Sequence, residues 1–142
     1  MRVSILAVGR LKEDYLRAAE AEYVRRLRPY CHLAVEEVKD EAALLKAVPD
    51  GALVVALDQT GDIVTSEDLA ARLLGREELH GGGRAIAFAI GGADGHTDAV
   101  RRRAGRTIAF GRITMAHRLV RVVLLEQLYR AFTILRGHPY HH

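Results

Sequence analysis

The sequence has one cysteine, no tryptophan and no long apolar run. A lone Cys31 excludes an internal disulfide, and unpaired cysteine is typical of proteins kept in a reducing compartment. The apolar segments stay far below the ~20 residues that a membrane-spanning helix requires, and Arg2 is not followed by the apolar core of a signal peptide. These absences argue against a disulfide-built secreted module and predict a cytoplasmic protein without a membrane segment.

Lysine is also scarce, because Lys12, Lys39 and Lys46 are the only lysines and arginine carries the rest of the positive charge. The formal net charge is +3, which is a mild excess. Arginine makes forked hydrogen bonds to phosphates and stacks on bases, so nucleic acid is a reasonable partner. A GC-rich genome produces the same bias by encoding arginine in place of lysine. Composition alone leaves both interpretations open.

The order of hydrophobic patterns predicts the fold class. About half of the 142 residues are apolar, which excludes a disordered chain. Five strand-like apolar runs occur, and they are VSILAVG, HLAVEEV, ALVVALD, RAIAFAI and RTIAF. Helical periodicity connects them, with Ser66 predicted to cap the third helix and the last helix predicted over about His117 to Arg136. The alternation predicts one α/β domain over residues 1–142, with a mostly parallel sheet flanked by helices.

The stretch FAIGGADGHTD, residues 88–98, places three glycines directly behind an apolar strand. Parallel sheets bind ligands beyond the carboxyl ends of their strands, and glycine there permits a tight turn or a close approach of the backbone to a ligand. The G-G-x-x-G spacing lacks the acidic residue that a dinucleotide site requires about twenty positions later, and no Lys-Ser or Lys-Thr pair marks a Walker loop. Phosphate-bound ligands are therefore disfavoured, whereas a tight turn alone explains these glycines equally well.

Two further segments make the pattern specific. LDQTG, FAIGGADG and the C-terminal RITMAHRLVRVVLLEQLYRAFTILRGHPYHH together closely resemble the RlmH family of ribosomal RNA methyltransferases, and the likeness extends from ILAVGR to HPYHH. These enzymes belong to the SPOUT class, which uses S-adenosylmethionine as methyl donor. The resemblance implies a deep trefoil knot over about residues 52–142. Sequence patterns would not suggest such a knot, because knots are nearly absent from proteins.

The resemblance also implies where the methyl donor binds. The pocket would be lined by residues of three loops, namely Leu57, Gly91, Gly92, Phe110, Gly111, Arg112, Ile113, Thr114 and Met115. The glycine pair would let the main chain approach the adenosine and methionine parts of a ligand that has no phosphate. Leu57 and Phe110 are equally suited to ordinary core packing.

The implied substrate is a pseudouridine of 23S ribosomal RNA, in the ribosome or the large subunit, methylated at ring nitrogen three. His138, Tyr140 and His141 of the tail are the predicted catalytic residues. Tyr140 would stack on the base, and a histidine would accept the imide proton. Two other interpretations of the tail are a frayed terminus and a metal site that includes His142. No carboxylate or cysteine lies nearby in sequence, so we expect no metal.

The last helix carries two apolar stripes. One consists of Val120, Leu124, Leu128, Ala131 and Leu135, and the other of Val122, Leu125, Tyr129 and Phe132. If the first stripe faces the sheet, the second remains in water, and a twofold homodimer would cover it. The family resemblance implies the same homodimer.

Two rival functions remain open at this stage. A non-catalytic α/β module that binds RNA or nucleotides would explain the glycine loops and the arginines, but it leaves HPYHH without a purpose. An enzyme that methylates a small molecule with the same donor would need no basic surface.

Overall fold

A computed structural model describes residues 1–142, the whole printed sequence. The strands are β1 (Arg2–Val8), β2 (His32–Val38), β3 (Leu53–Ile63), β4 (Ile86–Ile90) and β5 (Arg106–Ala109). The helices are α1 (Asp14–Leu27), α2 (Glu41–Ala47), α3 (Ser66–Asp68), α4 (Arg76–His80), α5 (Asp98–Arg103) and α6 (His117–Arg136), and a π-helical segment (Leu69–Gly75) joins α3 to α4. None of these helices is both long and apolar enough to cross a membrane.

The five strands are all parallel and form one sheet in the order β2-β1-β4-β3-β5. The central strand β4 is buried at every residue, as expected for a parallel strand covered on both faces. The edge strand β2 instead mixes exposed and half-buried residues. The predicted α/β class, with a parallel sheet flanked by helices, is confirmed.

The sheet separates two hydrophobic cores. On one face, α1, α6 and the π-helical segment bury the larger core, which includes Phe88, Leu124 and Phe132. On the other face, Leu44 of α2 and Val100 of α5 belong to a smaller core. Residues 57–60 of β3 and the loops that follow β4 and β5 meet at the carboxyl edge of the sheet, where they surround a cleft.

The end of β3 differs from the prediction, which placed it at residue 58. Leu57 pairs with Ile108, the chain then loops out, and Asp62 pairs with the same Ile108 again. Gly61 permits this return, because an added Cβ there would lie 2.7 Å from main-chain atoms of β5. The extra length of β3 therefore depends on a glycine contact between strands, which a hydrophobic pattern does not reveal.

The cap of the following helix is Thr65, so the prediction of Ser66 was wrong by one residue. Thr65 Oγ1 accepts the Asp68 N–H at 3.0 Å, and the Asp68 carboxylate accepts the Thr65 N–H at 3.1 Å. This reciprocal capping box satisfies two main-chain donors at once. The Ser66 hydroxyl instead donates to Gln127 Oε1 of α6 at 2.6 Å.

The second apolar stripe of α6 is not left in water, so this part of the argument for a dimer was wrong. Leu125 and Phe132 are fully buried within one chain. Helix α1 packs along α6, and Tyr30 stacks on Phe132 with ring centroids 5.8 Å apart. Tyr129 is half-buried, with its ring edge-on to Tyr30. The stripe alone therefore does not require a second copy.

Candidate active site

The looped-out part of β3 and the loops after β4 and β5 enclose a cleft of about 610 Å³ at the carboxyl edge of the sheet. Small-molecule sites in proteins have volumes of roughly 300–1,000 Å³, so this cleft has a suitable size. Its larger apolar lining residues are Leu57, Ile90, Ile108, Phe110, Ile113, Met115 and Val120. The first turn of α6, with His117, also lines it.

Eight of the nine predicted donor-pocket residues line this cleft, and they are Leu57, Gly91, Gly92, Phe110, Gly111, Ile113, Thr114 and Met115. Arg112 lies outside the lining. Its guanidinium donates to the carbonyl oxygens of Gln59 and Gly61, the second at 2.8 Å. The Thr114 hydroxyl donates to Gln59 Oε1 at 3.1 Å. Hydrogen bonds from Arg112 thus link the loop after β5 to the looped-out part of β3.

The glycines of residues 91–95 close a tight turn. The Gly95 N–H donates to the Gly92 carbonyl at 3.0 Å. An added Cβ at Gly91 would lie 2.8 Å from the main-chain carbon and oxygen of Gly95, closer than real side chains approach. At Gly92 an added Cβ would meet Val8 Cγ1 at 3.3 Å. Gly91 is therefore required by the turn itself, and the turn forms one wall of the cleft.

The arginine in the cleft lining is already paired. The Asp58 carboxylate accepts the main-chain N–H and hydroxyl of Thr60 at 2.9 and 2.8 Å, and Arg101 donates to it at 3.2 Å. Burial opposes ionisation of Asp58, but these hydrogen bonds and the Arg101 charge outweigh it and hold its pKa below the usual range. No other arginine and no lysine lines the cleft, so no free cation is available there for a phosphate group.

His96 is a cleft residue that sequence reasoning missed. Its side chain is 1% exposed. Its Nδ1 lies 3.0 Å from Glu41 Oε1 at the start of α2, and its Nε2 lies 3.0 Å from the Ala89 carbonyl oxygen of β4. Each ring nitrogen thus has an oxygen atom within hydrogen-bond distance. The ring therefore ties the end of the glycine loop to the strand before it, and Glu41 also accepts the Thr97 N–H at 2.8 Å.

Replacing His96 by leucine is expected to lower the free energy of unfolding by about 1–3 kcal/mol, because the buried Ala89 carbonyl and the largely buried Glu41 carboxylate both lose a hydrogen-bond partner. Equilibrium unfolding in urea measures this loss. The matched control is His80→Leu, since His80 is an exposed histidine at the end of α4. Equal stability of the two variants would contradict a stabilising role of the His96 contacts with Glu41 and Ala89.

The predicted catalytic residues of the tail fold back along α6. His138 Nδ1 lies 2.6 Å from the Tyr30 hydroxyl. The Tyr140 ring stands edge-on to Tyr129, with centroids 4.7 Å apart, and its hydroxyl donates to Glu126 at 3.3 Å. These contacts make the tail an ordered part of the chain's surface, which argues against the interpretation as a frayed terminus.

Tyr140 and His141 also interact with charged side chains. The Arg130 guanidinium lies 4.8 Å from the Tyr140 ring centroid, and His141 Nε2 lies 2.7 Å from Glu67 Oε1. Burial is the main cause that raises the pKa of Tyr140 to about 12. The phenol therefore stays protonated at neutral pH, where it can donate a hydrogen bond or stack but cannot accept a proton. No group of three or more His, Cys, Asp or Glu side chains is placed to hold a metal ion.

The tail and the cleft are separate on one chain. The cleft includes His117 at the start of α6, whereas the contacts of Tyr140 on that helix begin at Glu126. At a rise of 1.5 Å per residue, the nine residues between them span about 14 Å. None of the tail contacts described above involves a residue that lines the cleft.

Known proteins match this chain along its whole length. A family model described as "Predicted SPOUT methyltransferase" matches residues 1–141. Proteins named ribosomal RNA large subunit methyltransferase H from Geobacter sp. (strain M21), Geobacter metallireducens and Xanthobacter autotrophicus are 40%, 43% and 44% identical to it. The alignments cover 99–100% of this chain and 99% of each relative. The resemblance seen in the sequence is confirmed, and the chain belongs to the SPOUT methyltransferase family.

Proposed function

We propose that this protein transfers the methyl group of S-adenosylmethionine to ring nitrogen three of a pseudouridine in 23S ribosomal RNA. The observation that carries the proposal is the cleft at the carboxyl edge of the sheet, because it brings together eight of the residues that the family resemblance assigns to the donor. Full-length relatives that are named for methylation of large-subunit ribosomal RNA support the substrate class. The proposal includes no metal ion.

The cleft residues fit S-adenosylmethionine. Apolar side chains such as Leu57, Ile108 and Met115 offer a surface for the adenine ring, and the surrounding loops offer main-chain hydrogen-bonding groups. Arg101 is committed to Asp58, so the cleft lacks the free guanidinium that a phosphate-bearing cofactor would use. A donor without phosphate agrees with that lining.

The chain's own task is to position the base and to receive its proton. The donor, when bound, supplies a methyl group already activated by its sulfonium. Positioning alone is worth on the order of 7–11 kcal/mol of the barrier, and a general base typically adds about 10²–10⁴-fold. A ring nitrogen of His138 or His141 would accept the imide proton. Tyr140 remains a phenol, so it is suited to stacking on the base, a contact worth about 1–3 kcal/mol.

We propose that a homodimer unites the two parts of the site. The tail does not reach the cleft of its own chain. In a twofold homodimer, the tail of one chain would lie at the cleft of the other. Two apolar side chains beside the cleft are open to such a contact, since Ile113 is 81% exposed and Leu119 is 45% exposed. Burial of these two side chains against a partner chain would remove apolar surface from water.

The proposal also extends to the architecture. Residues 1–142 would form one domain, with about residues 52–142 knotted, in the cytoplasm where ribosomes assemble. The strand order supports the threading, because β3 lies between β4 and β5 and the chain must cross it to pass from one to the other.

Incubation with tritiated S-adenosylmethionine and ribosomes that lack this methylation tests the function. Label is expected in the large-subunit RNA. A non-catalytic module would leave all RNA unlabelled, and an enzyme for small molecules would label only added metabolites. Either outcome would refute the proposal.

A further inference from the structure

A second concave surface, here called the α1–β2 groove, lies between helix α1 and the edge strand β2. Its volume is about 620 Å³. Its floor is apolar and consists of Ala21, Val24, Leu33 and Val35. Three exposed arginines border it, Arg10, Arg17 and Arg28, and none of them forms an ion pair or a side-chain hydrogen bond. We call these three residues the rim arginines.

One wall of the groove is fixed by a buried ion network. Arg121 of α6 is 4% exposed, and it donates to Glu20 of α1 at 2.5 Å and to Glu37 of β2 at 2.7 Å. Glu37 also accepts the Leu11 N–H at 2.8 Å. Burial opposes the charge of Arg121, but the two carboxylates outweigh it and raise its pKa. The groove lining holds four arginines and two carboxylates, so it keeps an excess of positive charge. Arg10 also acts on Glu37, whose pKa its charge helps to lower, whereas Arg17 and Arg28 have no carboxylate partner.

The groove leads into the cleft. Arg10 directly follows Gly9, and an added Cβ at Gly9 would lie 4.0 Å from His117 Nε2. His117 lines the cleft, and Arg10 and His117 both line one narrow crevice beside Gly9, so the groove and the cleft adjoin there. A nucleic acid strand with one base at the cleft would pass over Gly9 into the groove.

We propose that the rim arginines bind the phosphate backbone of the RNA strand that leads to the methylated base. This inference rests on the proposed function, because it takes the cleft to be the place of methyl transfer. Arg17 of α1 and Arg28, the residue that caps the end of α1 with helical dihedral angles, are eleven residues, or about three helical turns, apart and lie on the same face. That separation is about 16 Å along the helix axis, enough for several phosphates. Arginine suits this role, since its planar guanidinium matches a phosphate with two hydrogen bonds.

Another arginine group lies at the opposite, amino edge of the sheet, near Leu53 and Gly105, and it consists of Arg72, Arg76, Arg84 and Arg106. Arg84 is fully engaged by the Glu77 carboxylate, with both hydrogen bonds at 2.8 Å. No residue that lines this group also lines the cleft. Continuity with the site therefore favours the α1–β2 groove, and Arg76 provides a matched control.

The test compares the double variant Arg17→Gln/Arg28→Gln with wild type and with Arg76→Gln. The probes are a stem-loop fragment of 23S ribosomal RNA and an unrelated RNA hairpin of the same length. Filter binding over a range of KCl concentrations gives the slope of log K against log salt. The double variant is expected to flatten this slope by about 1.5 and to weaken binding of both RNAs on the order of tenfold at 0.1 M salt. Arg76→Gln and wild type should agree, and donor titrations should be equal for all three proteins.

An unchanged slope in the double variant would overturn the proposal, and so would an equal loss of slope in Arg76→Gln. The single variants should each give about half of the change, so a folding defect specific to the double variant would not prevent a decision. The two proposals fail separately. If wild type transfers no methyl group but the slopes differ as expected, binding of RNA phosphates by the rim arginines is supported and the proposed function fails. If transfer occurs and the slopes agree, only the groove proposal fails.

Discussion

Deleting residues 138–142 is expected to slow methyl transfer by about 10²–10⁴-fold while donor binding stays nearly unchanged, because the proposed role of the tail is to supply the proton acceptor and part of the base positioning. The donor is expected in a cleft whose lining contains no tail residue. Single-turnover transfer, with a calorimetric donor titration on the same sample, measures both quantities. A truncated protein that methylates at the wild-type rate would show that the tail is not catalytic.

Point variants separate a chemical role of the tail from its packing role. The deletion also removes the contacts of His138 with Tyr30 and of Tyr140 with Tyr129, which costs some stability. Tyr140→Ala should mainly raise the RNA concentration needed for half-maximal rate, because it removes a stacking surface. His141→Ala should mainly lower the rate at saturating RNA, because it removes a proton acceptor. The opposite pattern would contradict these roles.

A mixing experiment extends the truncation to the proposed homodimer. The truncated chain keeps an intact cleft, and a chain with a damaged cleft keeps an intact tail. If a tail serves the cleft of its partner, the mixture should regain activity that neither protein has alone. No recovery after exchange of subunits would show that each tail serves its own chain.

Gly91→Ala is expected to weaken donor binding by about tenfold to 100-fold, the equivalent of an overpacking cost of about 1–3 kcal/mol. The added Cβ would lie 2.8 Å from the Gly95 backbone, so the turn that forms the cleft wall must open. Backbone cannot move aside as a side chain can. Calorimetric titration measures the affinity, and urea unfolding shows whether the variant still folds.

The matched control is Gly92→Ala, one residue along the same turn. Its added Cβ would meet Val8 Cγ1 at 3.3 Å, and a side chain can shift by a few tenths of an ångström. Its loss of affinity should therefore be clearly smaller. Equal affinities for the two variants would show that closure of the turn onto Gly95 does not shape the donor site.

Features that depend on local patterns were predictable from the sequence. The continuous apolar runs of β3 and β4 reflect burial on both faces of a parallel sheet, so they identified the fold class directly. The loops after β3, β4 and β5 carried glycine and small polar residues, and they do form the cleft. The sequence also left a tight turn open as an explanation of the glycines, and at Gly91 the contact with the Gly95 backbone supports that explanation.

Features that depend on contacts between distant residues were not predictable. His96 contacts Glu41, which is 55 residues away in the sequence, and Arg121 contacts Glu20, which is 101 residues away. No periodicity marks such pairs, since each partner alone has the appearance of an ordinary surface residue. The covering of the second α6 stripe by α1 has the same origin, because a helix pattern records which residues are apolar and not which element covers them.

Methyl transfer to a defined atom of ribosomal RNA is tested by analysis of the labelled product. Ribosomes and large subunits that lack the modification are each incubated with the protein and labelled S-adenosylmethionine, and the 23S RNA is digested to nucleosides for mass spectrometry. The account predicts one labelled product, pseudouridine methylated at ring nitrogen three, which Gly91→Ala and the tail deletion both reduce. Label on another nucleoside, or no label in 23S RNA with protein that binds the donor, would contradict it.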